Sequence, residues 1–200
     1  MQQTARSDGA PPDQDIVELL RSGAVETAFQ RLASRYEHKV YRLCCSVLRD
    51  PDQAQDAAQE SLLRVWKALP KYDQRASLST WIYTITRNRC LTAIERRRVQ
   101  ESLSDPAVEL EVQSVQASAP ERDADQAAIL RGLVGQLPER YRTALTLYYY
   151  EERDVSEVAQ MLGAPEGTVK TNLHRARALL LERLRELGLA DPAQWLERLA

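Results

Sequence analysis

The chain has 200 residues, 44% hydrophobic and 28% charged, which is enough apolar surface for a buried core and excludes wholesale disorder. Aromatics at 6% and only 7 glycines suit helices better than strands and hairpins, and no apolar run reaches the ~18 residues of a membrane span. The net charge of −2 speaks, taken whole, against nucleic acid.

The distribution of charge reverses that impression. Residues 1–98 hold 16 Lys/Arg against 12 Asp/Glu, a net of +4. Residues 99–126 hold one basic residue, Arg122, against seven acids, a net of −6, and residues 127–200 hold 10 of each. A basic half and an acidic connector are hidden in a near-neutral total. The three cysteines, Cys44, Cys45 and Cys90, are odd in number and contain no C-x-x-C pair. This predicts neither a disulfide framework nor a structural zinc, and the thiols read as small core hydrophobes.

In chain order, residues 1–14 are a polar lead without the apolar stretch of a signal peptide, so the expected compartment is the cytoplasm. Ile16, Val17, Leu19 and Leu20 then form a short amphipathic helix stopped at Ser22 and Gly23. From Glu26 to Leu48 the positions Ala28, Phe29, Leu32, Tyr36, Val40, Leu43 and Val47 recur at helical spacing. After Asp50 and Pro51, Asp52 with Gln55 reads as a capping box for a helix running to about Leu69. A polar loop follows, and a fourth helix starts near Ser79, presents Trp81, Ile82, Ile85, Leu91 and Ile94, and runs into Arg96, Arg97 and Arg98.

Residues 99–126 lack sustained periodicity and read as a linker, which at ~5–6 Å × √n spans on the order of 30 Å and lets the halves grip separate sites. Helical periodicity resumes at Ala127, Ile129, Leu130, Leu133 and Val134, again from Pro138, from Val155 and from Glu166. Residues 186–200 read as a tail or short helix. The expected architecture is all-α: two small helical domains, 15–98 and 127–185, joined by a flexible acidic linker, with a helix-turn-helix in the second.

That helix-turn-helix lies over 155–181. Ala159 permits close helix approach and Gly163 supplies a turn position. The second helix offers Thr168, Lys170, Thr171, His174, Arg175 and Arg177, and Glu166 is the sole acid of 166–181. Such a helix in the major groove sets Lys or Arg against guanine and Thr against a base or a thymine methyl. A generic helical hairpin with a solvated basic face is the bland alternative. Residues 78–98 combine Trp81 and Tyr83 with Arg87, Asn88, Arg89, Arg96, Arg97 and Arg98, which suits unpaired bases and phosphates. Against this, Trp81 and Ile85 also fit a core and the arginines a solvated face. Residues 52–67 present a small-residue face and an acidic-polar face, a surface for a partner helix or a plain exterior. Neither His38 nor His174 belongs to a metal or nucleophile motif, and no Gly-rich phosphate loop occurs, so neither enzymatic activity nor a cofactor is expected.

These stretches resemble the bacterial sigma factors of the extracytoplasmic-function class. DQAQDAAQESLLRVWKAL (52–69) and SLSTWIYTITRNRCL (77–91) carry the likeness in the first half, LPERYRTALTLYYYE (137–151) and VSEVAQMLGAPEGTVKTNLHRARALL (155–180) in the second. Leu62 stands where the family often has Phe, and Thr171 where Ser is common. The resemblance implies promoter-specific initiation by RNA polymerase. Asp52, Asp56, Gln59 and Glu60 would face the β′ clamp helices, with the second domain at the β flap. The loop 72–77, with Tyr72 and Ser77, would hold an extruded −10 base. Trp81 and Asn88 would contact the same element, and Arg87, Arg96, Arg97 and Arg98 its backbone. Thr168, Lys170, Thr171, His174, Arg175 and Arg177 would face the −35 duplex. The acidic linker would thread the path RNA later takes, and an anti-sigma factor is an expected further partner. A free-standing helix-turn-helix regulator is the alternative reading.

Overall fold

The structure is a computed structural model and describes residues 13–103 and 122–188. Among the described residues the regular elements are all helices, joined by short turns and loops, without strands. The first half comprises α1 (Gln14–Arg21), α2 (Val25–Leu48), α3 (Pro51–Ala68) with a 3₁₀ turn at Leu69–Lys71, and α4 (Leu78–Leu103). The second comprises α5 (Arg122–Gln136), α6 (Glu139–Leu145) continued by a π-helical turn Thr146–Tyr150, α7 (Val155–Leu162) and α8 (Glu166–Glu186).

Local signals account for most boundaries. Asp50, in extended backbone, accepts from the amides of Asp52 and Gln53, each at 3.0 Å. The cap is thus two residues earlier than the expected Asp52, because Pro51 lacks an amide hydrogen and fits the first helical position. Asp154 and Glu157 form a reciprocal capping box on α7. Gly163 ends that helix at φ 57°, a left-handed position a side chain resists. Asp13, placed in the lead by the sequence, is buried and accepts from Tyr36 Oη at 2.5 Å and Arg35 at 2.8 Å, which ties α1 onto α2. Residues 99–103 and 122–126, read as linker, continue α4 and begin α5; 1–12, 104–121 and 189–200 lie outside the described residues.

The two helical halves are as expected, and they also pack against each other. Leu32, Tyr36, Val40, Leu43, Val65, Leu69 and Ile82 pack together as the periodicity predicts. Ala144, Leu147, Val158, Ala159, Met161, Val169 and Leu173 of the second half join that same cluster. A second cluster, Leu130, Leu133, Val134, Tyr141, Leu145, Leu180 and Leu184, belongs to the second half alone. The two halves therefore meet through the first cluster, with α7 on α4 and α6 on α2, while the second half keeps a core of its own.

Candidate polymerase and nucleic-acid interfaces

On α3, Ala54, Ala57, Ala58, Ser61 and Val65 are buried. At 3.6 residues per turn the opposite stripe is Asp52, Asp56, Gln59 and Leu63, all exposed. Leu63 is 56% exposed, an apolar side chain in a polar stripe that the sequence did not single out. Glu60 sits beside the stripe but is otherwise engaged. Its carboxylate accepts from Nε of Arg89 on α4 and from Nη2 at 2.9 Å. This pairing holds Glu60 below the ordinary carboxylate range, and Arg89 is buried with Nη1 unpartnered.

Ahead of α4, the loop 72–77 closes on itself. Tyr72 Oη donates to the Ala76 carbonyl at 2.7 Å, and Ser77 Oγ accepts from the Thr80 amide at 3.2 Å, capping the helix. Trp81 is half-buried against the Tyr72 ring, centroids 5.1 Å apart. A cavity of 390 Å³ opens here, walled by Tyr72, Gln74, Arg75, Ser77 and, from the second half, Gln160. Asn88, Arg96 and Arg97 are exposed, while the side chain of Arg98 is outside the described residues. Arg87 is half-buried in a crevice of 160 Å³ shared with Glu139, Arg140 and Asn172. Tyr83 is not available for base stacking: it is fully buried and donates to Glu151 Oε2 at 2.5 Å.

On α8 the residues Val169, Leu173, Ala176, Leu180 and Leu184 are buried. Thr168, Lys170, Thr171, His174 and Arg175 are exposed on the other side. Lys170 Nζ lies 3.7 Å from Glu166, and Thr171 Oγ1 donates to the Gly167 carbonyl at 2.8 Å. Arg175 reaches Tyr141, lowering its phenol, yet remains exposed. Arg177 differs from the expectation. It is half-buried, its guanidinium 5.9 Å from the Tyr149 ring, because its position borders the buried face.

The cysteines behave as core. Cys44 and Cys90 are buried with sulfurs 3.5 Å apart, and the neighbouring thiol and burial raise Cys44 well above the ordinary thiol range. Among the described residues no cluster of three His, Cys, Asp or Glu is placed to hold a metal, and no helix is long and apolar enough to cross a membrane.

The family models for sigma-70 region 2 and sigma-70 region 4 match residues 32–99 and 127–180. The chain is 30% identical over 171 residues to the ECF RNA polymerase sigma factor SigW of Bacillus subtilis, covering 81% of this chain and 91% of that one. It is also 30% identical over 184 residues to the RNA polymerase sigma-H factor of Pseudomonas aeruginosa, covering 88% and 95%. Its fold is similar to the sigma factor RpoE of Bartonella quintana, solved with the anti-sigma factor NepR (TM-score 0.65, 22% identity, 78% of this chain and 96% of that one). It is likewise similar to CnrH, solved with the cytosolic domain of CnrY (TM-score 0.60, 20% identity, 86% and 99%). Matched by both regions in their order, and along nearly the full length of SigW, the chain belongs to the ECF sigma factors of bacterial RNA polymerase.

Proposed function

We propose that this sigma factor divides promoter recognition among three faces. The observation that carries the reading is the clean partition of α8. One side is locked into the core by Val169, Leu173 and Ala176, and the other presents Thr168, Lys170, Thr171, His174 and Arg175. Set into the major groove at the −35 element, Lys170 and Arg175 suit guanine, and Thr168 and Thr171 a base edge or methyl. Glu166 is displaced from Lys170 when a phosphate or base competes, since an exposed pair at 3.7 Å contributes little.

The −10 element, as unpaired strand, falls to the loop 72–77 with Trp81, and to Asn88. Arg87, Arg96, Arg97 and Arg98 meet its phosphates, an electrostatic contribution that weakens with salt. Asp52, Asp56 and Gln59, joined by Leu63, dock on the β′ clamp helices. Glu60 acts there indirectly, by anchoring α3 to α4 through Arg89. The second half seats on the β flap. The acidic segment 99–126 mimics nucleic acid along the RNA path and is displaced by growing transcript. An anti-sigma factor is a further partner, a reading supported by the structural neighbour RpoE, solved with the anti-sigma factor NepR. The protein acts in the cytoplasm and itself performs no chemistry.

The test is transcription by reconstituted holoenzyme with Lys170→Ala/Arg175→Ala. Each base-reading contact is worth on the order of 1–3 kcal/mol, so output from a cognate promoter should fall at least about tenfold. Wild-type output from the double variant would overturn the −35 assignment.

A further inference from the structure

A pair of thiols that promoter recognition does not use lies inside the first half. Cys44 of α2 and Cys90 of α4 are both 0% exposed, and the Cys90 thiol donates to Cys44 Sγ at 3.5 Å. They are 46 positions apart, so the contact joins two helices rather than two turns of one. A disulfide brings its sulfurs to about 2.05 Å, so this pair is one bond-forming movement of about 1.5 Å from closure.

The surroundings bear on the chemistry. Arg89 precedes Cys90 on α4; its buried guanidinium acts electrostatically on both sulfurs and leaves Nη1 without a partner. A cation with a spare N–H favours the thiolate through which oxidation passes. Opposing it, the hydrogen bond with Cys90 and then burial raise Cys44 well above the ordinary thiol range. The balance keeps the pair reduced at rest. Cys45 follows Cys44 on α2, about 100° round the helix, half-buried and hydrogen-bonded to Tyr41. It is the thiol nearest solvent and serves as an internal control.

We propose that Cys44 and Cys90 form a redox modification site, closed by a peroxide-class oxidant into a disulfide that ties α2 to α4 and disturbs the polymerase-docking face through Arg89. One sulfur, as thiolate, attacks a peroxide oxygen. The O–O bond breaks, a sulfenic acid forms, and the displaced hydroxide takes up the thiol proton as water. The second thiol then attacks that sulfur, the S–O bond breaks, and a second water leaves. Two thiols and one hydrogen peroxide thus give one disulfide and two waters, with sulfur oxidised and peroxide oxygen reduced. A small thiol reductant reverses the bond by exchange. In a reducing compartment such a bond is transient, which suits a signal better than a staple.

The coupling follows from adjacency. Drawing the sulfurs together moves Cys90, and Arg89 must follow. Arg89 Nε and Nη2 are bound to Glu60 on α3, beside the exposed stripe of Asp52, Asp56, Gln59 and Leu63. Closure therefore pulls on the anchor that sets α3 against α4. The loss of docking rests on the face assigned above, whereas the bond rests on the sulfurs alone.

The test treats the full chain with hydrogen peroxide, removes the peroxide, alkylates in denaturant and maps the thiols by mass spectrometry. The expected product is a Cys44–Cys90 crosslink within one chain, lighter than the two thiol peptides by two hydrogens. It should form equally in Cys45→Ser and be lost from Cys90→Ser, which keeps the core volume, and from Cys44→Ala. The oxidised chain should bind core polymerase at least about fivefold more weakly, dithiothreitol should restore binding, and Cys90→Ser should bind alike before and after peroxide. Free thiols at 44 and 90 at a dose that oxidises Cys45, or crosslinks only to Cys45 or between chains, would overturn the site. A crosslinked chain that binds polymerase as the reduced chain does would overturn the coupling. Were the reduced wild type not to bind core polymerase, the assigned docking face would fail while the mapped crosslink kept the site.

Discussion

Glu60→Ala separates docking from folding on α3. Removing one partner of a fully buried ion pair costs about 3–5 kcal/mol, because a charge is left without compensation. Here the Arg89 side chain is 8% exposed but Glu60 is 46% exposed, so water enters the gap and screening reduces the loss. The expected destabilisation is about 2 kcal/mol, or roughly 4–8 °C in Tm for a chain of this size. Arg89 Nη1 already lacks a partner, and deletion of Glu60 orphans Nε and Nη2 as well. Glu60→Gln keeps an acceptor and should lose about half as much. Asp56→Ala, at an exposed position on the same helix, should stay within about 0.5 kcal/mol while weakening polymerase binding. Urea unfolding followed by far-UV circular dichroism measures all three. Equal stability of Glu60→Ala and Asp56→Ala would refute the assignment of Glu60 as the anchor of α3 to α4.

Asp50→Ala should cost about 1 kcal/mol in thermal unfolding as the α3 cap is lost, whereas Gln55→Ala should leave stability nearly unchanged. Gly163→Ala forces a side chain into φ 57° and should cost about 1 kcal/mol although nothing crowds its Cβ; calorimetry reads the shift. Asp15, held by Arg35 and Arg31, has its carboxyl lowered to about 2 from 3.8. Since the folded value is depressed, its contribution is complete above about pH 4 and is lost as pH falls through about 2. The stability gap between wild type and Asp15→Asn, read from urea midpoints, should therefore close across that window, and more salt should shrink it at neutral pH. A gap independent of pH would contradict the role given to this pair.

Local physics was legible where one element's own residues decide it. Apolar spacing marked α2, α3 and α8, and Gly163 marked the turn before α8. The outward residues of α8 followed from the same 3.6-residue period. Reading failed where a residue's fate depends on a distant partner. Tyr83 looked like a stacking aromatic, yet Glu151 lies 68 positions away and claims its hydroxyl. Arg42 and Glu151 are 109 apart, and Arg142 and Ser46 are 96 apart, separations that no local pattern encodes. Glu60 read as one more acid of a docking face because its partner sits on the next helix. The cap slipped from Asp50 to Asp52 because a capping-box spacing outweighed the proline between them.

A sigma factor is defined by promoter selection through core polymerase, and run-off transcription on genomic fragments, with mapped start sites and the wild-type chain added to core polymerase, measures that selection. The expected result is discrete transcripts whose start sites share paired upstream elements, absent when either the chain or core polymerase is omitted. Tight, sequence-specific binding of duplex DNA by the chain alone, with no transcript dependent on it, would instead identify a free-standing regulator.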